Sequence, residues 1–203
     1  MSLLTPDTLT LLTALYISPT RHYHSLTHVH SLLALLNAHR AAFSDPEAIE
    51  AAIWFHDAVY NSRDKPPANE AASAELAVQH LREAGVDEER IERVRVMILA
   101  TAGHVVPTEA ELGSGGEGAV RDAEMFLDMD LSVLGAGEDE FDEYERGVRR
   151  EYEWVDEEGW RKGRGEVLRS FLGRERIFFS ELFRGLLEER ARGNLKGAVE
   201  RLG

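Results

Sequence analysis

The chain has 203 residues, of which 43% are apolar and 30% are charged. This composition is typical of a globular protein with its own core, and the length predicts about one domain. The absence of cysteine excludes disulfides, thiolate catalysis, zinc fingers and iron–sulfur clusters. The formal charge of −14 argues against a nucleic acid duplex as partner, because a duplex binder needs a basic surface.

The sequence offers no membrane or export signal. No apolar run approaches the roughly 18 residues that a membrane-spanning helix needs. The first ten residues, MSLLTPDTLT, have no basic region and contain Asp7, so they do not resemble a signal peptide. We therefore expect a cytoplasmic protein with no membrane partner, and the sequence predicts no oligomeric state.

Helix signals recur along the chain, whereas strand signals hardly occur. Thr5-Pro6 and Asp45-Pro46 are typical helix starts, with a capping residue followed by proline. The predicted helices cover about 5–17, 21–41, 45–60, 66–85, 87–102, 119–134, 139–155, 166–172 and 175–202. Between the fifth and sixth helices, Pro107 and GSGGEG predict a flexible glycine-rich loop at 106–118. Without repeats or long linkers, the pattern favours one all-α domain over 1–203.

The segment AAIWFHDAVY places His56 and Asp57 side by side on a predicted helix. Ile49, Ala52 and Ile53 define its buried face, and helical spacing turns both polar side chains inward or along the border of that face. A buried ionised aspartate is costly unless a cation neutralises it. The pair is therefore a candidate metal site, and a hydrogen-bonded core pair of histidine and aspartate is the alternative.

The segment RHYHSLTHVH contains four histidines. On a continuous helix, His24 and His28 lie on one face, and such a pair four residues apart can chelate one metal ion. His22 and His30 fall on other faces, where we expect them to contact solvent or to lie at the rim of the site. His39 lies near the predicted end of the helix, where the helix dipole explains it.

The segment FLDMDLSVLG offers two aspartates. Asp130 follows Phe126 and Leu127 and precedes Leu134 at helical spacing, so we place it on the packed face. Asp128 falls on another face and should be more exposed. Asp130 is therefore the better candidate for a carboxylate ligand.

Two further polar residues lie on apolar helix faces. Glu70 precedes Ala74 and Val78 by four and eight positions, and His104 follows Met97 by seven. Each alone is explained as a satisfied group at the edge of the core. Five helices that each turn a histidine or an acid inward together indicate a shared site.

In this arrangement the chain resembles the HD superfamily of metal-dependent phosphohydrolases, in which H…HD…D is spread over separate helices. It is most similar to a branch of stand-alone proteins of about this length, described as predicted metal-dependent HD phosphohydrolases. The resemblance runs from about residue 21 to the C-terminus. In order, its motifs are RHYHSLTHV, AIWFHDAVYN, NEAASA, ILATAGH, FLDMDLSVLG, VRREY, FLGRERIF and ARGNL.

The resemblance implies an HD-type helical bundle with one or two divalent metal ions. The implied metal ligands are His28, His56, Asp57 and Asp130. Imidazole and carboxylate donors suit Mn²⁺, Fe²⁺, Co²⁺, Ni²⁺ and Zn²⁺, and Mg²⁺ is not excluded. Because His28 stands directly before the apolar run, it matches the first ligand, and His24 becomes an inner-site residue that binds substrate or orients water.

The same resemblance places Glu70 and His104 in the lining of the pocket. A bound metal lowers the pKa of its water from about 15.7 towards 7, and Asp57 or Glu70 could accept the proton. We expect Arg21, Tyr23, His104 and Arg149 to bind substrate. A planar guanidinium binds phosphate through two hydrogen bonds, although ion pairs with neighbouring glutamates explain most of the arginines equally well.

The chain departs from its relatives at Ala68. Relatives tend to have an aspartate directly before the Asn-Glu pair of the fourth helix. A ligand or base role at that position is lost here unless Asp64 provides it. The glycine-rich segment after His104 is atypical as well.

The implied activity is hydrolysis of a phosphomonoester or phosphodiester, with a small phosphorylated metabolite or nucleotide as substrate. One alternative is a metal-bearing or nucleotide-binding regulatory module without turnover. Another is a diiron oxygenase, which is disfavoured because only His80 and His104 follow the HD pair.

Overall fold

The computed structural model describes residues 2–203, and its regular elements over this range are all helical. The predicted all-α fold is therefore confirmed. The α-helices are α1 Pro6–Tyr16, α2 Leu26–Ala38, α3 Pro46–Phe55, α4 Ala68–Glu83, α5 Glu88–Ala100, α6 Glu109–Leu112, α7 Gly116–Asp130, α8 Glu138–Glu151, α9 Glu157–Leu172 and α10 Glu181–Leu202. Short 3₁₀ turns occupy Arg40–Ala42, Gly113–Gly115 and Leu131–Gly135. Among these helices, none has both the length and the apolar character to cross a bilayer.

The chain divides into two compact units, Met1–Leu127 and Asp128–Gly203. The boundary falls within α7. That residues 1–203 form one domain, and that its fold is of the HD type, stay predictions.

In the first unit, α3 contacts α2, α4 and α5. Ile49, Ile53 and Phe55 are fully buried along it. Its start follows the predicted pattern, because the Asp45 side chain accepts a hydrogen bond from the Ala48 amide and Pro46 is the first helical residue. This buried helix fixes the place at which the chain leaves it, at His56.

Two predicted boundaries differ from the structure in ways that matter for the site. α2 begins at Leu26, and Ser25 before it is extended, with φ −116° and ψ 177°. His24 therefore lies ahead of the helix, and the expected pair of His24 and His28 on one helix face is wrong. α3 ends at Phe55, so that His56 caps it and Asp57 follows it.

The glycine-rich segment is more ordered than the predicted loop at 106–118. Thr108 and Glu111 form a reciprocal capping box that starts α6. A 3₁₀ turn then leads directly into α7 at Gly116. Gly113 and Gly116 have φ of +75° and +56°, conformations that glycine adopts without strain. The glycines thus build a tight connection between helices.

In the second unit, α9 begins earlier and α10 later than the sequence pattern predicts. α9 begins after Asp156, whose side chain accepts a hydrogen bond from the Gly159 amide, and not near residue 166. α10 begins after Ser180, which caps the Phe183 amide, and not near residue 175. The chain between these helices therefore needs other partners for its backbone.

Side chains of α7 and α10 supply those partners. Asp128 is fully buried and accepts hydrogen bonds from the Phe179 and Ser180 amides, each at 2.8 Å, and from Ser180 Oγ at 2.6 Å. Glu188 accepts from the amides of Ile177 and Phe178. The expectation that Asp128 is more exposed than Asp130 is therefore wrong, because Asp128 replaces the backbone acceptors that this connection lacks.

The ARGNL segment of α10 has a similar role. Arg192 donates hydrogen bonds to the carbonyls of Leu172, Arg174 and Glu175, between 2.9 and 3.2 Å. Asn194 donates to the carbonyls on either side of Gly135. A Cβ atom at Gly135 would lie 2.6 Å from Leu187 Cβ, so only glycine allows this close approach to α10.

The buried carboxylate of Asp128 gives a testable expectation. Asp128→Asn replaces one acceptor oxygen with an NH₂ group that faces amide donors. We expect it to lower the free energy of unfolding by about 2–3 kcal/mol, the typical cost of leaving a buried polar group without a partner. Urea denaturation measures the loss. Asp139→Asn, on an exposed site of α8, serves as control, and equal stability of the two variants would contradict the assignment.

An ion-pair cluster at the start of α3 gives a second expectation. Burial raises the pKa of Asp45, but hydrogen bonds from Arg90 and the Ala48 amide, with the charges of Arg90 and Arg93, outweigh it and lower that pKa overall. A carboxyl with a lowered pKa in the folded state stabilises the fold at neutral pH. It loses this contribution as the pH falls through the folded pKa, below about 4.

We therefore expect Asp45→Asn, which keeps a capping oxygen, to be less stable than the wild type near pH 7. The difference in the free energy of unfolding should shrink in acid. Urea denaturation across pH 3–7 checks this, with Arg90→Met as the matched partner in a double-mutant cycle. A coupling between the two sites that does not change with pH would refute the role given to the Asp45 charge.

Candidate metal centre

Three of the four predicted metal ligands come together in the first unit. His28 lies on α2, His56 caps α3, and Asp57 directly follows it. His56 Nε2 lies 3.2 Å from His28 Nε2 and 3.0 Å from Asp57 Oδ2. The third distance, from His28 Nε2 to Asp57 Oδ2, is 3.9 Å. These side chains form a group that could hold a metal ion.

The three distances fit a single transition-metal ion. A point equidistant from the three atoms lies about 2.0 Å from each, which matches metal bonds of ~2.0–2.2 Å to imidazole nitrogen and carboxylate oxygen. Two imidazoles and a carboxylate also suit the implied ions, Mn²⁺ to Zn²⁺. The cluster therefore fits the metal that the resemblance implies.

The protonation state of His56 also favours metal binding. His56 Nδ1 lies 2.8 Å from the Ile53 carbonyl, which can only accept a hydrogen bond, so Nδ1 carries the proton. In the neutral ring, the lone pair is then on Nε2, the atom that faces His28 and Asp57. His56 and His28 are only 1% and 6% exposed.

The turn after α3 is held through its backbone. The Asp57 amide donates a hydrogen bond to Tyr16 Oη at 3.2 Å. Arg21 donates from Nη1 to the carbonyl of Asp57 at 2.6 Å and from Nη2 to that of Ala58 at 2.7 Å. Arg21 Nη1 also donates to the carbonyl of His24 at 3.0 Å. Both terminal nitrogens of this predicted phosphate binder therefore contact backbone.

An aromatic group adjoins the cluster. The ring of Tyr23 lies 4.9 Å, centroid to centroid, from the rings of both His24 and His28. His24 in turn stacks on Tyr60 at 4.3 Å. The structure thus brings two predicted site residues, Tyr23 and His24, next to His28, one of the predicted ligands.

Glu70 lies in the first turn of α4, one turn before Ser73. Ser73 Oγ accepts a hydrogen bond from the Val59 amide and donates to the Val59 carbonyl, two residues after Asp57. Glu70 Oε2 is buried and has no hydrogen-bond partner within residues 2–203. A buried carboxylate oxygen without a partner calls for a cation, a water or a substrate donor nearby.

The other predicted residues are placed as follows. His104 follows α5 in a left-handed conformation with φ of 46°. Asp64 is exposed in the connection before α4, and Ala68 is the first residue of that helix. Neither His104 nor Asp64 belongs to the group of His28, His56 and Asp57.

Two predicted site residues belong to the second unit. Asp130 ends α7 and is partly exposed. Arg149 donates hydrogen bonds to the carbonyls of Tyr152 and Val155, and its guanidinium lies 5.2 Å from the ring centroid of Trp160. The ligand role of Asp130 and the substrate role of Arg149 stay predictions.

Sequence reasoning missed Tyr16 and Tyr60. Tyr16 follows Leu12 by four positions on α1 and is almost fully buried, so it has the pattern of a core residue. Its hydroxyl was the available signal, because a buried tyrosine hydroxyl usually needs a hydrogen-bond partner. Tyr60 ends the predicted helix 45–60 but lies outside any helix in the structure, so helical periodicity carried no information about its place.

Comparison of the chain with family models, with curated proteins and with solved structures finds no match in any of the three. The resemblance to the HD superfamily therefore rests on the motifs themselves. The His28–His56–Asp57 group agrees with the ligands that those motifs imply.

The same short distances also suit a hydrogen-bonded core of histidine and aspartate, and metal binding separates these interpretations. We expect one Mn²⁺ per chain, measured by calorimetry or by electron paramagnetic resonance. His56→Ala and Asp57→Ala should each weaken binding at least ~100-fold, because each removes a direct ligand. His30→Ala, on an exposed site of α2, is the control. Failure of the wild type to take up any transition metal would leave only the core-pair interpretation.

Proposed function

We propose that this protein is a metal-dependent phosphohydrolase of the HD type, acting on a phosphomonoester or phosphodiester of a small metabolite or nucleotide. The observation that carries the proposal is the group of the buried His28 and His56 with the partly exposed Asp57, whose three ligand atoms share a point at metal-bond distance. The ordered motifs supply the reaction type. A cytoplasmic location and the absence of nucleic acid duplexes among the partners are part of the proposal.

In the proposed centre, His28, His56 and Asp57 hold a divalent transition metal, and Asp130 is the proposed fourth ligand. Such an ion, when bound, lowers the pKa of water and polarises a phosphoryl oxygen. His56 is prepared for this role by its hydrogen bond to Ile53, which directs its lone pair to the cluster.

We assign Glu70 as the general base that accepts the proton of the attacking water. Asp57 Oδ2 is already one of the three clustered ligand atoms. Glu70 Oε2, by contrast, is a buried acceptor without a partner among the described residues. A buried carboxylate oxygen without a partner is stabilised when a hydrogen-bond donor, such as a water molecule, enters the site. It can then accept the proton of that water, which is the role of a general base.

The substrate contacts are assigned to the first unit. His24 and Tyr23 adjoin His28 and can orient water or the phosphoryl group. His104 is proposed as a further contact. Arg21 and Arg149 use both of their terminal nitrogens on backbone carbonyls, which reduces what they can offer to a phosphate.

A second function is favoured by one observation. Ala68 stands where relatives tend to have an aspartate, and Asp64, the nearest alternative, is exposed. A chain that binds metal and nucleotide without turnover would then act as a regulatory module.

A substrate screen tests both functions. The Mn²⁺-loaded protein is assayed with nucleotides and phosphorylated metabolites for phosphate release, and with bis-p-nitrophenyl phosphate for diester cleavage. Glu70→Gln should lower kcat by about 10²–10⁴-fold, the usual contribution of a general base. Glu75→Gln, exposed on the same helix, should not.

The outcomes separate the two functions clearly. Asp57→Ala should abolish turnover, and activity that survives this change would come from a contaminant. Metal binding without hydrolysis of any compound, but with nucleotide binding, would replace the hydrolase with the regulatory module.

A further inference from the structure

The Arg21 guanidinium connects two segments that lie far apart in the sequence. Its hydrogen bonds reach the His24 carbonyl before α2 and the carbonyls of Asp57 and Ala58 after α3, which are 36 and 37 residues away. The last carbonyls of a helix and the turn beyond it lack donors within the helix. Arg21 supplies donors at the point where the chain leaves α3.

Two tyrosines enclose the same cation. Arg21 Cζ lies 5.0 Å from the ring centroid of Tyr16 and 5.6 Å from that of Tyr60. Cation–π contacts of this kind stabilise a guanidinium by electrostatic attraction to the ring faces. A planar group with donors in fixed directions can serve three carbonyls at once, whereas a lysine ammonium cannot match that geometry.

These contacts tie the backbone of Asp57 on both sides. Its amide is bound by Tyr16 and its carbonyl by Arg21, and Tyr16 is also one of the rings beside the guanidinium. The carboxylate of Asp57 extends from this fixed backbone to within 3.0 Å of His56 Nε2. A shift of the turn would therefore change the distances between the proposed ligands.

We infer that Arg21 is a positioning residue that sets the geometry of the His56–Asp57 ligand pair through the carbonyls of Asp57 and Ala58. It is not the phosphate-binding residue that its place beside the histidine motif suggests. This inference rests on the proposed function, in which His56 and Asp57 hold a metal. In this role, Arg21 contributes to the affinity for metal and not to the affinity for substrate.

The test measures binding of Mn²⁺ alone. Arg21→Met keeps much of the apolar stem and removes the donors, and we expect it to weaken Mn²⁺ binding about 10–100-fold, as is typical when a residue that orients a ligand is lost. The visible absorption of the Co²⁺ form should change as well, because it reports the coordination geometry. Arg21→Lys should recover only part of the affinity.

Arg192→Met is the matched control. Arg192 also donates to three backbone carbonyls, but in the second unit. Its loss should lower the melting temperature and leave Mn²⁺ affinity within about twofold of the wild type, since it removes the same kind of contact away from the ligands. A general effect of destabilisation would weaken binding in both variants and would overturn the inference.

A second measurement does not depend on metal. In the metal-free protein, amide hydrogen exchange over residues 57–60 should be faster in Arg21→Met and unchanged in Arg192→Met. If wild type binds no Mn²⁺, the proposed function fails and this exchange alone decides whether Arg21 holds the turn. Unchanged exchange overturns the inference, as does a variant that binds Mn²⁺ normally but binds inorganic phosphate more weakly.

Discussion

The structure depends on giving hydrogen-bond partners to backbone groups that lie between helices. Helices satisfy their own amides and carbonyls except at their ends, so each connection in an all-α chain needs an external supply. At several connections here, charged side chains provide it. Arg21 serves the turn after α3, Asp122 accepts from the amides of Ser44 and Asp45, and Asp128 and Arg192 serve the segment between α9 and α10. The proposed metal centre lies at one of these connections.

Hydrogen bonds from charged side chains to the backbone give another explanation for the many arginines in the second half of the chain. Of the 20 arginines, 13 lie in residues 121–203, a bias that is compatible with phosphate binding. In the second unit, Arg149, Arg190 and Arg192 all donate to backbone carbonyls, and Arg164 pairs with Glu145 beside Tyr144. Burial, as the largest effect, raises the pKa of Tyr144. These four arginines thus have structural partners already, and their presence needs no phosphate to explain it.

The sequence predicts what local chemistry decides and misses what distant contacts decide. Prolines and capping residues located most helices, and the spacing of Ile49 and Ile53 correctly turned His56 inward. The burial of Asp128 could not be predicted, because its partners are 51 and 52 residues away, in a segment that the sequence pattern assigned to a helix and that the structure places before α10. His24 was misplaced for a related reason: Arg21, which binds its carbonyl, also binds the carbonyls of Asp57 and Ala58, 36 and 37 residues away, and α2 begins only after His24.

The hydrogen bond from His56 Nδ1 to the Ile53 carbonyl lies entirely within one stretch of chain at the end of α3. The orientation of the imidazole is thus set when α3 forms, and the ring loses its rotational freedom during folding. A metal ion that binds in the proposed centre would meet a preorganised nitrogen donor and would not have to restrict it, which would strengthen binding without any added contact. In the proposed metal centre, His56 would therefore contribute to affinity through entropy as well as through its nitrogen.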